Sequence, residues 1–88
     1  MIINIDELKK KIIYRSKYRG SKELDTLLNS FTKKFIDTFN EKELINLSEL
    51  LDIDDENLYN FKQGQKTTTK FDDNRVNKLF RDFVYHEI

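Results

Sequence analysis

Leu24, Leu27, Leu28, Phe31, Phe35, Ile36 and Phe39 succeed one another at helical steps of three and four, and the chain holds no proline to interrupt them. Residues at that spacing share one face of a helix, so the run can bury its apolar groups together only as an amphipathic helix. A stripe this long needs other elements to cover it, and the rest of the chain offers helices. Asn4 with Glu7 fits a capping box, with Asn in the Ser/Thr role. Ile5, Leu8, Ile12 and Ser16 then fall on one face, which predicts a first helix from about Ile5 to Tyr18. Asn40 with Glu43 repeats the capping pattern and opens a third helix whose core face carries Leu44, Leu47 and Leu51. Asp54 can cap a short fourth helix, with Leu58 and Phe61 facing inward and Gly64 at its end.

The stretch "QGQKTTTK", Gln63 to Lys70, reads as a linker, and a fifth helix is expected to start near Asp72 and carry Val76, Leu79, Phe80 and Phe83. Strand signals are few. The expectation is an all-α fold, a single small bundle of about five short helices occupying residues 1–88 as one domain. A domain of this size buries only about 60–65 % of its unfolded surface, so there is little core to spare. Hydrophobic residues are 38 % of the chain, and seven Phe and four Tyr supply the large core pieces.

Cysteine is absent, which excludes a disulfide framework and a thiolate metal site. No apolar run approaches the length that crosses a bilayer, and "MIINIDELKKK" has neither the pattern of a signal peptide nor that of a transit peptide. The expected location is the cytoplasm of a bacterium, without membrane insertion. The lack of Ala, together with much Ile, Lys and Asn, fits an AT-rich genome.

Net charge is zero but unevenly spread. Residues 1–22 carry seven bases and two acids, residues 23–61 three bases and ten acids, and residues 62–88 six bases and four acids. The balances are +5, −7 and +2, an asymmetry that can orient a partner at long range. A nucleic-acid binder is normally basic overall, and this chain is not. Lys9 to Lys11 with Arg15, Lys17, Arg19 and Lys22 form a basic stretch, but the bases spread around the helix wheel. The acids of "LDIDDEN" lack the alternation and central Gly of a calcium loop, and they read as helix caps and solvated face. His86 is the only histidine and has no matched nucleophile, so no catalytic residue is assigned.

"YRGSKELD", Tyr18 to Asp25, holds one of only two glycines. A chain that turns sharply from one helix into the next needs a residue that tolerates a left-handed backbone, and Gly20 supplies it without a Cβ penalty. Ser21 can cap the second helix, and Glu23 suits the positive end of its dipole. That reading accounts for Gly20, Ser21 and Glu23 but leaves open why Arg15 and Arg19 stand four apart near the turn with Tyr18 beside them.

"RSKYRGSKELDTLLNSF", followed at a distance by "LSELLDIDDENLYNF", resembles the SdhE family of flavinylation factors, also known as succinate dehydrogenase assembly factors. The family's Arg-Gly-x-x-Glu signature is matched by Arg19, Gly20 and Glu23, and "LLDIDDENLYNF" is similar to its Leu-Leu-x-x-Asp-Asp-x-x-Leu-x-x-Trp region. The resemblance covers about residues 9–61 by motif and the rest by helix order. Two positions depart from the pattern: Tyr18 stands where many relatives have His or Arg, and Phe61 where they often have Trp.

The resemblance implies a non-enzymatic factor that binds the flavoprotein subunit of succinate dehydrogenase, or in some bacteria of fumarate reductase. Such factors promote covalent attachment of FAD to a histidine of that subunit. The chemistry belongs to the flavin and the partner's imidazole, and FAD is carried by the partner rather than bound tightly by the factor. The residues expected to meet the partner are Arg19, Gly20 and Glu23, extended by Arg15 and Tyr18, in a chain expected to be a monomer. The alternative from a different class is a small helical nucleic-acid-binding regulator using the basic first helix.

Overall fold

A computed structural model describes residues 4–17 and 20–84. The described residues form five α-helices and no strand: α1 (Ile5–Lys17), α2 (Lys22–Phe35), α3 (Glu41–Leu51), α4 (Asp55–Lys62) and α5 (Arg75–Asp82), with a short 3-10 turn, Ile36–Thr38, between α2 and α3. The all-α expectation holds. α1 packs on α2 and α3, α3 on α5, and α4 on α5. Their apolar faces meet in one core in which Ile12, Leu28, Phe31, Leu44, Leu47, Leu58, Val76 and Phe80 are wholly buried.

Aromatic rings tie the end of α5 and the α4–α5 connection to the middle of the chain. Phe31 of α2 lies 5.5 Å from both Phe80 and Phe83 in edge-to-face geometry. Phe61 stacks on Phe71 with centroids 4.0 Å apart and planes within 3°. Such pairs add roughly 0.5–1.5 kcal/mol beyond the area they bury.

Each helix start has a local cause. The Asn4 side chain accepts from Glu7 N at 3.2 Å. Asn40 and Glu43 form a reciprocal capping box, with Glu43 N donating to Asn40 Oδ1 at 2.8 Å and Asn40 N donating to Glu43 Oε1 at 3.0 Å. Asp54 Oδ2 accepts from Asn57 N at 3.2 Å and so caps α4.

Two boundaries differ from the sequence expectation. The apolar stripe of α2 continues to Phe39, but the helix stops at Phe35, because Asn40 captures the next turn as its own cap. Phe39 leaves the helix in an extended conformation and stays buried, at the N′ position facing Leu44 at N4, the two places that form a hydrophobic staple. α5 starts at Arg75 rather than near Asp72. Asn74 is its cap, accepting from Asn77 N at 2.8 Å, while Asn77 Nδ2 donates to Asp72 O at 2.9 Å and holds that residue outside the helix.

The stretch read as a linker is fastened. Asn57, 6 % exposed, accepts from Thr68 N at 2.9 Å, and its Nδ2 donates to Asp54 Oδ1 at 2.7 Å and to Thr68 Oγ1 at 3.1 Å. One buried amide thus holds the middle of the α4–α5 connection against the start of α4.

Candidate functional site

The turn between α1 and α2 is built as its sequence requires. Gly20 has φ of +95°, in the region that L side chains rarely adopt. Ser21 is extended, and its hydroxyl oxygen accepts from Leu24 N at 3.5 Å, a long cap for α2. Glu23 and Asp25 lie in the first turn of α2, where the helix dipole favours acids. Leu24 is buried and anchors the turn to the core, whereas Gly20 and Glu23 are exposed. A Cβ built on Gly20 would meet nothing within 4 Å. Within the protein, glycine is therefore required for its backbone conformation and not for space.

Of the five residues expected at a partner surface, Gly20 and Glu23 are displayed together on this exposed knuckle. Tyr18 and Arg19 lie outside the described residues, as does His86. Arg15 points across to α3. Its Nη1 donates to Ser48 Oγ at 3.0 Å and its Nη2 to Asp52 Oδ1. The guanidinium fork, suited to such paired acceptors, clamps the end of α1 to the last turn of α3.

Two of the five bases of α1 are engaged within the protein. Lys9 pairs with Asp37 at 3.3 Å, and Arg15 pairs with Asp52. Nothing in this arrangement supports a nucleic-acid interface. Among the described residues no group of three or more His, Asp or Glu is placed to hold a metal ion. Asp54 caps α4, and Asp52 holds Arg15. No helix of the described residues is long and apolar enough to cross a membrane.

Beside the knuckle runs a groove of roughly 440 Å³ between α2, α4 and the end of α5, with Glu23 at its edge. Sequence reasoning did not find it. Lys62 lines it, and its ammonium donates to Phe80 O at 3.0 Å, Arg81 O at 3.4 Å and Phe83 O. Lys62 thereby caps the C-terminal end of α5, adding a second donor to Phe80 O, which already accepts from Phe83 N at 3.3 Å. Burial pushes the Lys62 ammonium below its ordinary pKa of 10.5, against the opposing pull of Asp82. Eighteen residues separate Lys62 from Phe80, so no local pattern signals this cap.

Comparison with known proteins follows the same lines. The family model Sdh5, "Flavinator of succinate dehydrogenase", matches residues 10–84. The chain is 30 % identical over 82 residues to the mitochondrial succinate dehydrogenase assembly factor 2-B of Drosophila ananassae, covering 91 % of this chain and 50 % of that protein. It is 33 % identical over 76 residues to mitochondrial succinate dehydrogenase assembly factor 2 of Scheffersomyces stipitis, covering 82 % and 51 %. With the corresponding factor of Lodderomyces elongisporus the identity is 32 % over 87 residues, covering 94 % and 53 %. The chain thus spans about half the length of the curated relatives it matches. No solved structure is a significant match.

These relatives overturn the expected placement in a bacterial cytoplasm, since they are mitochondrial proteins of a fly and two yeasts. The lack of cysteine speaks only to redox state, and a composition rich in Ile, Lys and Asn reports nucleotide bias rather than compartment.

Proposed function

This chain belongs to the Sdh5 family, the flavinators of succinate dehydrogenase, and from that premise we propose that it binds the flavoprotein subunit of succinate dehydrogenase and promotes covalent attachment of FAD to it. The factor is not an enzyme in its own right and carries no cofactor of its own. The reacting atoms belong to the flavin and to the partner's histidine. What this chain contributes is position. Holding the partner so that the two groups meet in reactive geometry lowers a barrier by several kcal/mol, which orientation alone can supply.

One observation carries the reading: Gly20 and Glu23, two of the three signature residues, sit exposed on one turn, and open space surrounds Gly20. A buried Glu23, or a Gly20 packed against the protein's own backbone, would have left the signature a purely structural role. As it stands, the turn lets a partner's backbone approach Gly20 closely, while Glu23 accepts hydrogen bonds from it. Arg19 supplies a guanidinium to partner carboxylates or carbonyls, with Tyr18 beside it. Arg15 supports the knuckle from behind by fixing α1 to α3. The whole chain acts as one domain and as a monomer.

The test is covalent flavin fluorescence of the flavoprotein subunit on a denaturing gel, in cells that lack their own factor. Supplying this chain is expected to restore the signal, and Gly20→Arg or Glu23→Ala is expected not to. Failure of the folded native chain with the subunit of its own organism would remove the proposal.

A further inference from the structure

The groove beside the knuckle has features that the turn does not explain. Its floor is apolar, formed by Leu27 of α2 and Phe83 after α5. Tyr59 and Val84 stand at its rims with 46 % and 64 % of their surface exposed, two of the four large apolar residues so exposed among the described ones. They stand out in a chain of which 36 % is charged. Apolar side chains left open around a concavity mark a place for another apolar group.

The groove also has a sign. Lys62 and Arg81 both line it. The acceptors of the Lys62 ammonium are neutral carbonyls, and among the described residues no carboxylate lies within ion-pair distance of it. Among the described residues the Arg81 guanidinium pairs only with the neighbouring Asp82, at 3.4 Å, with both side chains about half exposed or more. Pairs of that kind hold weakly and exchange readily. The Lys62 charge is thus without a carboxylate although its three N–H groups are engaged, the Arg81 guanidinium is open to one, and Glu23 marks the edge that the groove shares with the knuckle.

We infer that this groove receives a segment of the flavoprotein partner in which apolar side chains flank an Asp or Glu, the apolar groups resting on Leu27 and Phe83 and the carboxylate meeting Arg81. This rests on the reading of the chain as a flavoprotein assembly factor and adds a second contact to it. The knuckle and the groove form one continuous surface, and engagement at two points fixes the partner's orientation as well as its position.

The experiment measures binding of the full chain to the purified flavoprotein subunit, with each variant's thermal melt as a folding control. Arg81→Glu and Val84→Asp change exposed side chains, and each is expected to weaken binding about tenfold, as loss of an interface anchor does. The Arg81→Glu loss is expected to shrink as salt is raised. A photoreactive phenylalanine analogue at position 59 is expected to crosslink to a partner segment that contains both an acid and apolar residues. If both variants bind within about twofold of the native chain while Gly20→Arg does not bind, the groove is not an interface and the proposed function stands. If the native chain does not bind the subunit, both readings fall. A crosslink to residues 85–88 of the same chain, or to a second copy, overturns the partner as the occupant.

Discussion

The carboxylate of Glu43 is shared between two helices. Its Oε1 accepts from Asn40 N at 3.0 Å and closes the capping box of α3, while its Oε2 accepts from Arg75 Nη1 of α5 at 2.7 Å. The Arg75 guanidinium also lies 5.7 Å from the Phe39 ring centroid. One side chain thus joins a local cap, legible in the sequence as Asn-x-x-Glu, to a contact 32 residues away that no local pattern reveals. The Arg75 hydrogen bond first, and the Asn40 N–H second, hold the Glu43 carboxyl below its ordinary pKa of 4.5.

That depression fixes a sign. The folded state favours ionised Glu43, so its contribution is fully present above the unfolded value near 4.5 and is lost as pH falls through the lower folded value. Glu43→Gln keeps an acceptor for Asn40 N but loses the charge. Urea unfolding followed from neutral pH to pH 3 is expected to show a shallower acid-side loss of stability for Glu43→Gln than for the native chain. Parallel curves would mean that the ion pair with Arg75 adds nothing in solution.

Arg15 and Asp52 offer a separate test, because Arg15 was expected at the partner surface and is found clamped to α3. Arg15→Ala is expected to destabilise the fold by about 1 kcal/mol, as a partly exposed charged hydrogen bond does. A double-mutant cycle with Asp52→Ala is expected to show coupling of a few tenths of a kcal/mol or more. Flavinylation at matched amounts of folded protein is then expected to change little. A large functional loss without a loss of stability would place Arg15 directly in the partner contact.

Thr32 is wholly buried in α2, and among the described residues its hydroxyl has no hydrogen-bond partner. A buried hydroxyl without a partner carries its desolvation cost uncompensated. Thr32→Val keeps the shape and removes that group, and is expected to raise stability by about 1 kcal/mol in a denaturant melt. A lower stability would show that the hydroxyl does find a partner in solution.

Asn57 tests the fastening of the α4–α5 connection. Asn57→Ala removes the acceptor of Thr68 N and the donor to Asp54, and is expected to cost about 2 kcal/mol, the sum of two modest buried hydrogen bonds. Hydrogen exchange is the sharper readout. The Thr68 amide is expected to lose protection in the variant while the amides of α2 keep theirs.

Most of the fold was legible because its signals are local. The capping residues Asn4, Asn40 and Asp54 stand three residues before the amides they satisfy, and the stripe from Leu24 to Phe35 repeats at the helical period. What was missed is long-range. Thr67 to Thr69 read as linker because nothing in the stretch announces that Asn57, eleven residues earlier, is buried and turned toward it. The end of α2 was overrun because Phe39 keeps the apolar period while the Asn40 cap breaks the helix, and periodicity cannot rank the two. The knuckle was legible as a turn from Gly20 and Ser21 alone. The groove was not, since its walls come from α2, α4 and α5, and the Lys62 contact with the end of α5 spans eighteen residues.

The two glycines provide the closing test, because the protein holds its own control. Gly20 and Gly64 have φ of +95° and +73°, and at both a Cβ would meet nothing within 4 Å. An alanine at either position therefore carries backbone strain and no clash, about 1–2 kcal/mol in each case. Gly20→Ala and Gly64→Ala are expected to melt alike. They are expected to differ in flavinylation, because only Gly20 lies on the surface proposed to meet the partner, where an added methyl would hold the partner's backbone away. Measured at equal amounts of folded protein, Gly64→Ala is expected to support covalent flavin attachment at the native level and Gly20→Ala to fall well below it. Equal activities would reduce Gly20 to a turn residue and shift the weight of the partner contact onto Arg19 and Glu23.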